Sequence, residues 1–204
     1  MFPLNTVLFP GMRLPLHIFE ERYKEMVADC LPGDRPFVVA LIESGPEVGG
    51  PAQPRAIGTT ALIRDLERLP EGRFNLTAVG QERIRILDVK TTRPYLMAAV
   101  EFSPASSAAL PAAKHGAEKL WPWLRRYVKG LARVVETDIP LPESAPDPLT
   151  VAYLVPVFLN VPADERQSLL EIDEVTDLLE RERYILRREV ALLRAMHGSD
   201  IFGD

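Results

Sequence analysis

Three histidines, one cysteine, two short groups of like charge and one glycine-rich turn are the residues whose types could do chemistry in this chain. His17, His115 and His197 stand far apart in sequence. Zinc catalysis needs two or three ligands in close order, as in H-E-x-x-H, and no such string occurs. His17 lies among apolar residues and reads as a packed or partly exposed imidazole, while His115 and His197 read as surface residues in helical surroundings. Cys30 is the single cysteine, so it has no disulfide partner in the chain and cannot make a multi-cysteine zinc site. Its place on the apolar side of a helix makes it a small core hydrophobe. Glu20 and Glu21 are adjacent, diverge on a helix and read as a solvated face. Arg83 and Arg85 alternate on a strand. They read as exposed polar positions, with an anion site as the sharper alternative. The turn from Gly45 to Pro51 has glycines but no following Lys-Ser/Thr, so it lacks the G-x-x-x-x-G-K-S/T form that wraps phosphates. Permissive backbone explains it better. No G-x-S-x-G turn is present. The members of a Ser–His–Asp site need only meet in space, so that absence removes one architecture and not the class.

These residues must be held by a chain of 204 residues with 47% hydrophobic and 26% charged content, ordinary for a globular protein. Its net charge of -5 argues against a nucleic-acid binder, which needs clustered cations. No apolar run approaches the roughly 20 residues that cross a bilayer. The prolines at 3, 10 and 15 break up the amino terminus, which does not read as a signal peptide. A cytoplasmic protein is expected, with no membrane partner, no metal and no cofactor.

The 19 prolines punctuate the elements. Phe2 to Phe9 and Met12 to Leu16 read as extended, with a turn at Pro10-Gly11. Phe19, Tyr23, Met26, Val27 and Cys30 recur at helical spacing up to Pro32-Gly33. Phe37 to Ile42 is a continuous apolar run, the mark of a strand buried on both faces. Ile57 to Leu66, Phe74 to Ala78, Ile84 to Ile86 and Leu96 to Phe102 follow as strands, most of them alternating. Short strands with tight turns and one early helix predict a small closed or nearly closed sheet. Ser103 to Ser107 reads as a linker. Beyond Pro111 the period becomes helical, with Leu120, Trp123, Leu124, Tyr127, Val128 and Leu131 on one face and a kink or break expected at Pro122. Asp147-Pro148 opens a second helix that ends near Pro156. A short helix spans Pro162 to Leu170. Asp173 caps a last long helix with the stripe Leu178, Leu179, Ile185, Leu186, Leu192 and Leu193, stopped by Gly198 before a loose tail. The division is thus a β-rich part with one helix over 1–103 and a helical bundle over 108–197.

Several strings carry a resemblance. Phe2-Pro3-Leu4-Asn5-Thr6-Val7-Leu8-Phe9-Pro10-Gly11-Met12-Arg13-Leu14-Pro15-Leu16 resembles the opening of the Lon protease amino-terminal domain family. Ile18-Phe19-Glu20-Glu21-Arg22-Tyr23 is similar to the version in its small free-standing members. Ile57-Gly58-Thr59-Thr60-Ala61, the hairpin strings Glu71-Gly72-Arg73 and Val79 to Ile86, and Glu165 to Glu171 match further family motifs, so the resemblance runs to about Leu193. It implies an α+β fold: a PUA-like small β-barrel followed by a C-terminal helical bundle. In Lon proteases this domain helps recognise substrates ahead of an ATPase module and a protease module. This chain ends before either, so the resemblance implies a non-enzymatic, free-standing recognition domain. No catalytic residue carries over, and Pro10-Gly11, Gly58 and Gly80 carry over as backbone positions.

The function expected is binding of polypeptide segments, unfolded or belonging to partner proteins, at an apolar patch or groove. Met12, Leu14, His17, Gly49 and Gly50 are the candidate residues, with core packing the plainer role for Met12 and Leu14. The alternatives are an RNA-binding PUA-like module using Arg83, Arg85 and Arg93, an adaptor docking on a separate protease, and an enzyme whose site assembles in space.

Overall fold

The computed structural model describes residues 1–50, 52–198 and 202. Its elements are β1 (Phe2–Leu4), β2 (Arg13–Ile18), α1 (Glu21–Cys30), β3 (Phe37–Ser44), β4 (Gln53–Arg68), β5 (Phe74–Lys90), β6 (Met97–Phe102), α2 (Pro111–Val134), α3 (Pro148–Phe158), α4 (Ala163–Leu170) and α5 (Val175–His197). This is an α+β architecture with one six-stranded sheet and five α-helices among the described residues. Two compact units divide it: Met1–Pro104 with Val161–Glu171, and Ala105–Asn160 with Ile172–Asp204.

The first unit starts from a tight turn. Pro10 occupies the second position of the turn from Phe9 to Met12, and Gly11 the third with φ 79°, so Met12 N–H reaches Phe9 O at 3.0 Å. That is the geometry a Pro-Gly pair favours. Gly11 N–H then donates to Gly80 O, and Gly80 N–H donates to Met12 O, both at 2.9 Å. Two residues of one strand thereby face one of its partner, a bulge built on a left-handed glycine. It sets the register of β2 against β5, from Arg13 beside Val79 to Ile18 beside Phe74.

Gly80 and Gly58 were expected as permissive positions, and the structure gives the reason as close approach, not positive φ. A Cβ on Gly80 would lie 2.2 Å from Phe9 O, and one on Gly58 2.6 Å from Val39 O. Gly80→Ala should therefore force β5 away from the Phe9 turn and cost about 1–3 kcal/mol. A melting temperature unchanged from wild type would contradict this contact.

The strand order is β1-β3-β4-β5-β2, with β6 also on β5. The expected PUA-like barrel is corrected here: among the described residues β1 pairs only with β3 and β2 only with β5, so the sheet does not close. The two strands at its ends carry Pro3 and Pro15, and β1 has only three residues. Proline gives no N–H to a ladder, so neither end extends pairing easily. The core inside the sheet gathers Phe2, Leu4, Leu14, Ile18, Tyr23, Met26, Phe37, Phe74, Leu76 and Ala78.

The second unit packs α2 and α5 with α3, burying Leu120, Leu124, Tyr127, Val151, Val155, Leu178, Leu179, Ile185 and Leu186. Asp147 caps α3 as expected, accepting from Thr150 N–H at 3.0 Å and Thr150 Oγ at 2.6 Å. These bonds hold its carboxyl below the usual range, the Thr150 hydroxyl contributing most. α2 runs unbroken through Pro122. Pro122 and Glu118 are exposed there, so the carbonyl that loses its donor faces water. The last helix is not capped by Asp173: its first flanking residue is Glu174, whose carboxylate accepts from the Ser106 and Ser107 hydroxyls. The tail after Gly198 lies outside the described residues except for Phe202, which is buried between Arg126 and Arg194.

Candidate functional site

The open side of the sheet carries the strongest candidate site. β2 ends at Ile18, and the chain turns into α1 through Phe19 and Glu20. Phe19 was expected on the apolar stripe of α1. Instead it precedes the helix and points to solvent, 48% exposed. The fourth residue of the helix is Lys24, so no apolar partner there staples Phe19 down. Val48, in the loop after β3, is 56% exposed. Phe19, Val48, Phe2, Leu4, Leu16, Ile18 and Tyr23 together line a groove of about 200 Å³.

Glu20 was read as part of a solvated face, and the structure corrects this. Its Oε2 accepts from Arg22 Nε at 3.1 Å and from Gly49 N–H at 3.2 Å. Arg22 in turn donates to Gly50 O at 3.0 Å and Glu47 O at 3.3 Å. Asn5 fastens the other end of the loop, giving its backbone and side-chain N–H groups to the Glu47 carboxylate at 3.1 and 2.9 Å. Five hydrogen bonds beyond the Arg22–Glu20 contact thus hold the 45–50 loop, so Val48 is presented on a fixed arm. Glu21 is the exposed member of the pair and bridges Lys24 at 2.8 Å. Pro51 lies outside the described residues.

His17 is exposed and lines both this groove and a shallower one over β2, β5 and β4. Asn75 Nδ2 donates to Glu67 Oε2 at 3.0 Å, which turns Asn75 Oδ1 toward His17 Nδ1 at 2.8 Å. A carbonyl oxygen only accepts, so in this contact Nδ1 carries the hydrogen. A row His17–Asn75–Glu67 therefore crosses three strands.

The other expected residues fall elsewhere. Leu14 points into the core, and Met12 packs against it while its Sδ accepts from Arg166 at 3.4 Å. Neither lines the groove. Gly49 and Gly50 do not line it either, but hold Val48 in place through their backbones. Phe19 and Val48 went unnoticed: one fitted a helical period that begins two residues later, and the other sits in a loop without period.

The remaining sequence candidates resolve as follows. Arg83 is 1% exposed, which overturns its reading as a solvated position. It lies on β5 and donates to backbone oxygens of Ser103, Leu170 and Glu171. Arg93 lies 3.7 Å from both Glu25 and Asp29. Cys30 is half-buried against the core, and burial raises its thiol pKa. That is the opposite of an activated thiolate. Among the described residues no group of three or more His, Cys, Asp or Glu could hold a metal ion. No helix there is long and apolar enough to cross a membrane.

Comparison with known proteins turns these observations into a family. Residues 1–188 match the model of the ATP-dependent protease La (LON) substrate-binding domain. The chain belongs to the Lon substrate-binding domain family. Lon protease 2 of Herpetosiphon aurantiacus is 30% identical over 206 residues, aligning 95% of this chain with 24% of that protein. Lon protease 1 of Thermus thermophilus is 27% identical over 91% of this chain. The chain spans about a quarter of the length of these curated Lon proteases. The fold is that of a Lon N-terminal domain protein from Xanthomonas campestris, with a TM-score of 0.62 and 27% identity over 88% of this chain and 93% of that one. The N-terminal domain of a Mycobacterium avium complex Lon protease shares the fold at a TM-score of 0.60 and 18% identity.

Proposed function

We propose that this Lon-type domain recognises exposed apolar segments of other polypeptides at the groove beside β2, and does no chemistry of its own. The observation that carries this reading is the groove itself: an apolar floor with two large apolar side chains, Phe19 and Val48, left in water at its rim. Exposed apolar groups held on a fixed frame are what a binding site needs, because their ordering cost is already met before the partner arrives. Two of the three arginines considered for RNA do not support that alternative: Arg83 is buried on carbonyls and Arg93 lies beside two carboxylates, which leaves of the three only Arg85, an exposed cation.

Phe19→Asp combined with Val48→Asp tests the reading. Overlapping ten-residue peptides from reduced, carboxymethylated α-lactalbumin serve as probes, first on an array and then in solution by fluorescence anisotropy. The wild-type chain should bind a subset rich in large apolar residues. The double variant should lose at least tenfold in affinity, since each buried large apolar side chain contributes about 1.5–3 kcal/mol. Its melting temperature should stay within a few degrees of wild type because both positions are exposed. Equal binding by the two chains, or none by either, overturns the reading.

A further inference from the structure

The groove runs along an edge of the sheet that nothing in the described residues pairs. Gly80 N–H donates to Met12 O, and the register continues from Arg13 beside Val79. Backbone groups alternate in direction along an antiparallel strand. Leu14, Leu16 and Ile18 therefore turn theirs toward β5, while Arg13, Pro15 and His17 turn theirs away from it. This outer edge offers three carbonyls, and two N–H groups from Arg13 and His17, since Pro15 has none. All three residues are exposed. At the other end of the strand order stands β1, whose Phe2 and Leu4 form the far wall of the groove.

We infer that β2 receives its partner as an added strand: an extended segment in which large apolar residues alternate with lysine or arginine, paired to the Arg13–Pro15–His17 edge. This rests on the proposed recognition role and specifies its substrate class. Side chains alternate across a strand, so one set would enter the groove below and the other would lie over the outer surface. The floor beneath is apolar. Of the charges around the strand, Arg13 is paired with Asp65 at 2.7 Å and Arg22 with Glu20 at 3.0 Å, while Glu67, reached from His17 through Asn75, and Glu47 on the loop accept from amides and make no ion pair among the described residues. Basic residues at alternate positions match that charge pattern. The single missing donor at Pro15 fits an edge kept from unselective pairing, because proline on an edge strand weakens but does not abolish a ladder.

The probe is the capped heptapeptide Lys-Phe-Lys-Leu-Lys-Phe-Lys, with versions N-methylated on the three aromatic and aliphatic residues, or on the two inner lysines. Anisotropy with the intact chain should show binding by the parent peptide that the Phe19→Asp, Val48→Asp chain loses. One of the two N-methylated sets should bind at least tenfold more weakly and the other within threefold of the parent, because only alternate N–H groups face β2. Equal effects of the two sets, with binding still sensitive to Phe19 and Val48, overturn strand addition and leave the recognition groove standing. Binding of α-lactalbumin peptides but not of the heptapeptide overturns the substrate class alone. No binding of either overturns both.

Discussion

Arg83→Met should unfold this chain more readily than any surface change, lowering its stability by on the order of 3–5 kcal/mol. The guanidinium is 1% exposed and gives Nε to Leu170 O at 2.6 Å, Nη1 to Ser103 O at 2.5 Å and Ser103 Oγ at 3.0 Å, and Nη2 to Glu171 O at 3.2 Å. Leu170 ends α4 and Glu171 follows it, where helix carbonyls lack partners and carry partial negative charge. One planar cation thus completes the end of α4 and ties it to β5 and to the segment after β6. Methionine fills similar space and leaves those carbonyls buried without donors, each orphan costing about 1–3 kcal/mol before relaxation. Arg83→Lys keeps the charge but not the fork, and should lose roughly half as much. Urea denaturation measures both. Hydrogen exchange supplies a local check, since amides of residues 163–171 should exchange faster in the methionine variant. Arg83→Met with wild-type stability would mean that these bonds contribute nothing net.

Arg83 also shows where residue pattern stops being informative. Alternation predicted strands across 74–86, and β5 spans them, but alternation assumes one wet face. At Arg83 and Ile84 both successive residues are buried, because the segment bearing α4 covers the second face of β5. Nothing in the residues of α4 announces that contact, which is 87 positions away in sequence. The turn at Pro10-Gly11 was readable because its geometry is local: one fixed φ and one left-handed residue. The family strings were readable because they combine such local constraints in order. The groove was only partly readable. His17 was singled out, yet Phe19 and Val48 acquire their role from the loop that Arg22, Glu20 and Asn5 hold in place. Those bonds join residues more than 20 positions apart.

Glu182→Leu should stabilise the helical unit by about 1–3 kcal/mol at pH 7, the usual cost of a buried polar group without a partner. The stripe Leu178, Leu179, Ile185, Leu186 is centred on position 182, so helical period places this side chain in the core. Its burial is complete, and neither carboxyl oxygen has a hydrogen-bond partner among the described residues. Desolvation alone pushes its pKa well above the usual carboxylate value of 4.5. The sign follows from proton counting. The folded chain holds a proton on Glu182 that the unfolded chain releases above its ordinary pKa, so the folded state binds more protons and stability falls as pH rises from that value toward the raised folded one. Below the ordinary pKa both states are protonated and the pH-dependent part vanishes. Glu182→Gln keeps the shape and removes the titration, so the melting-temperature gap between it and wild type should be smallest near pH 4 and widen toward pH 8. At roughly 2–4 °C per kcal/mol for a chain of this size, the leucine variant should melt several degrees above wild type at pH 7. A gap that stays constant with pH would mean that Glu182 is solvated or paired, and would overturn its assignment as a buried neutral acid.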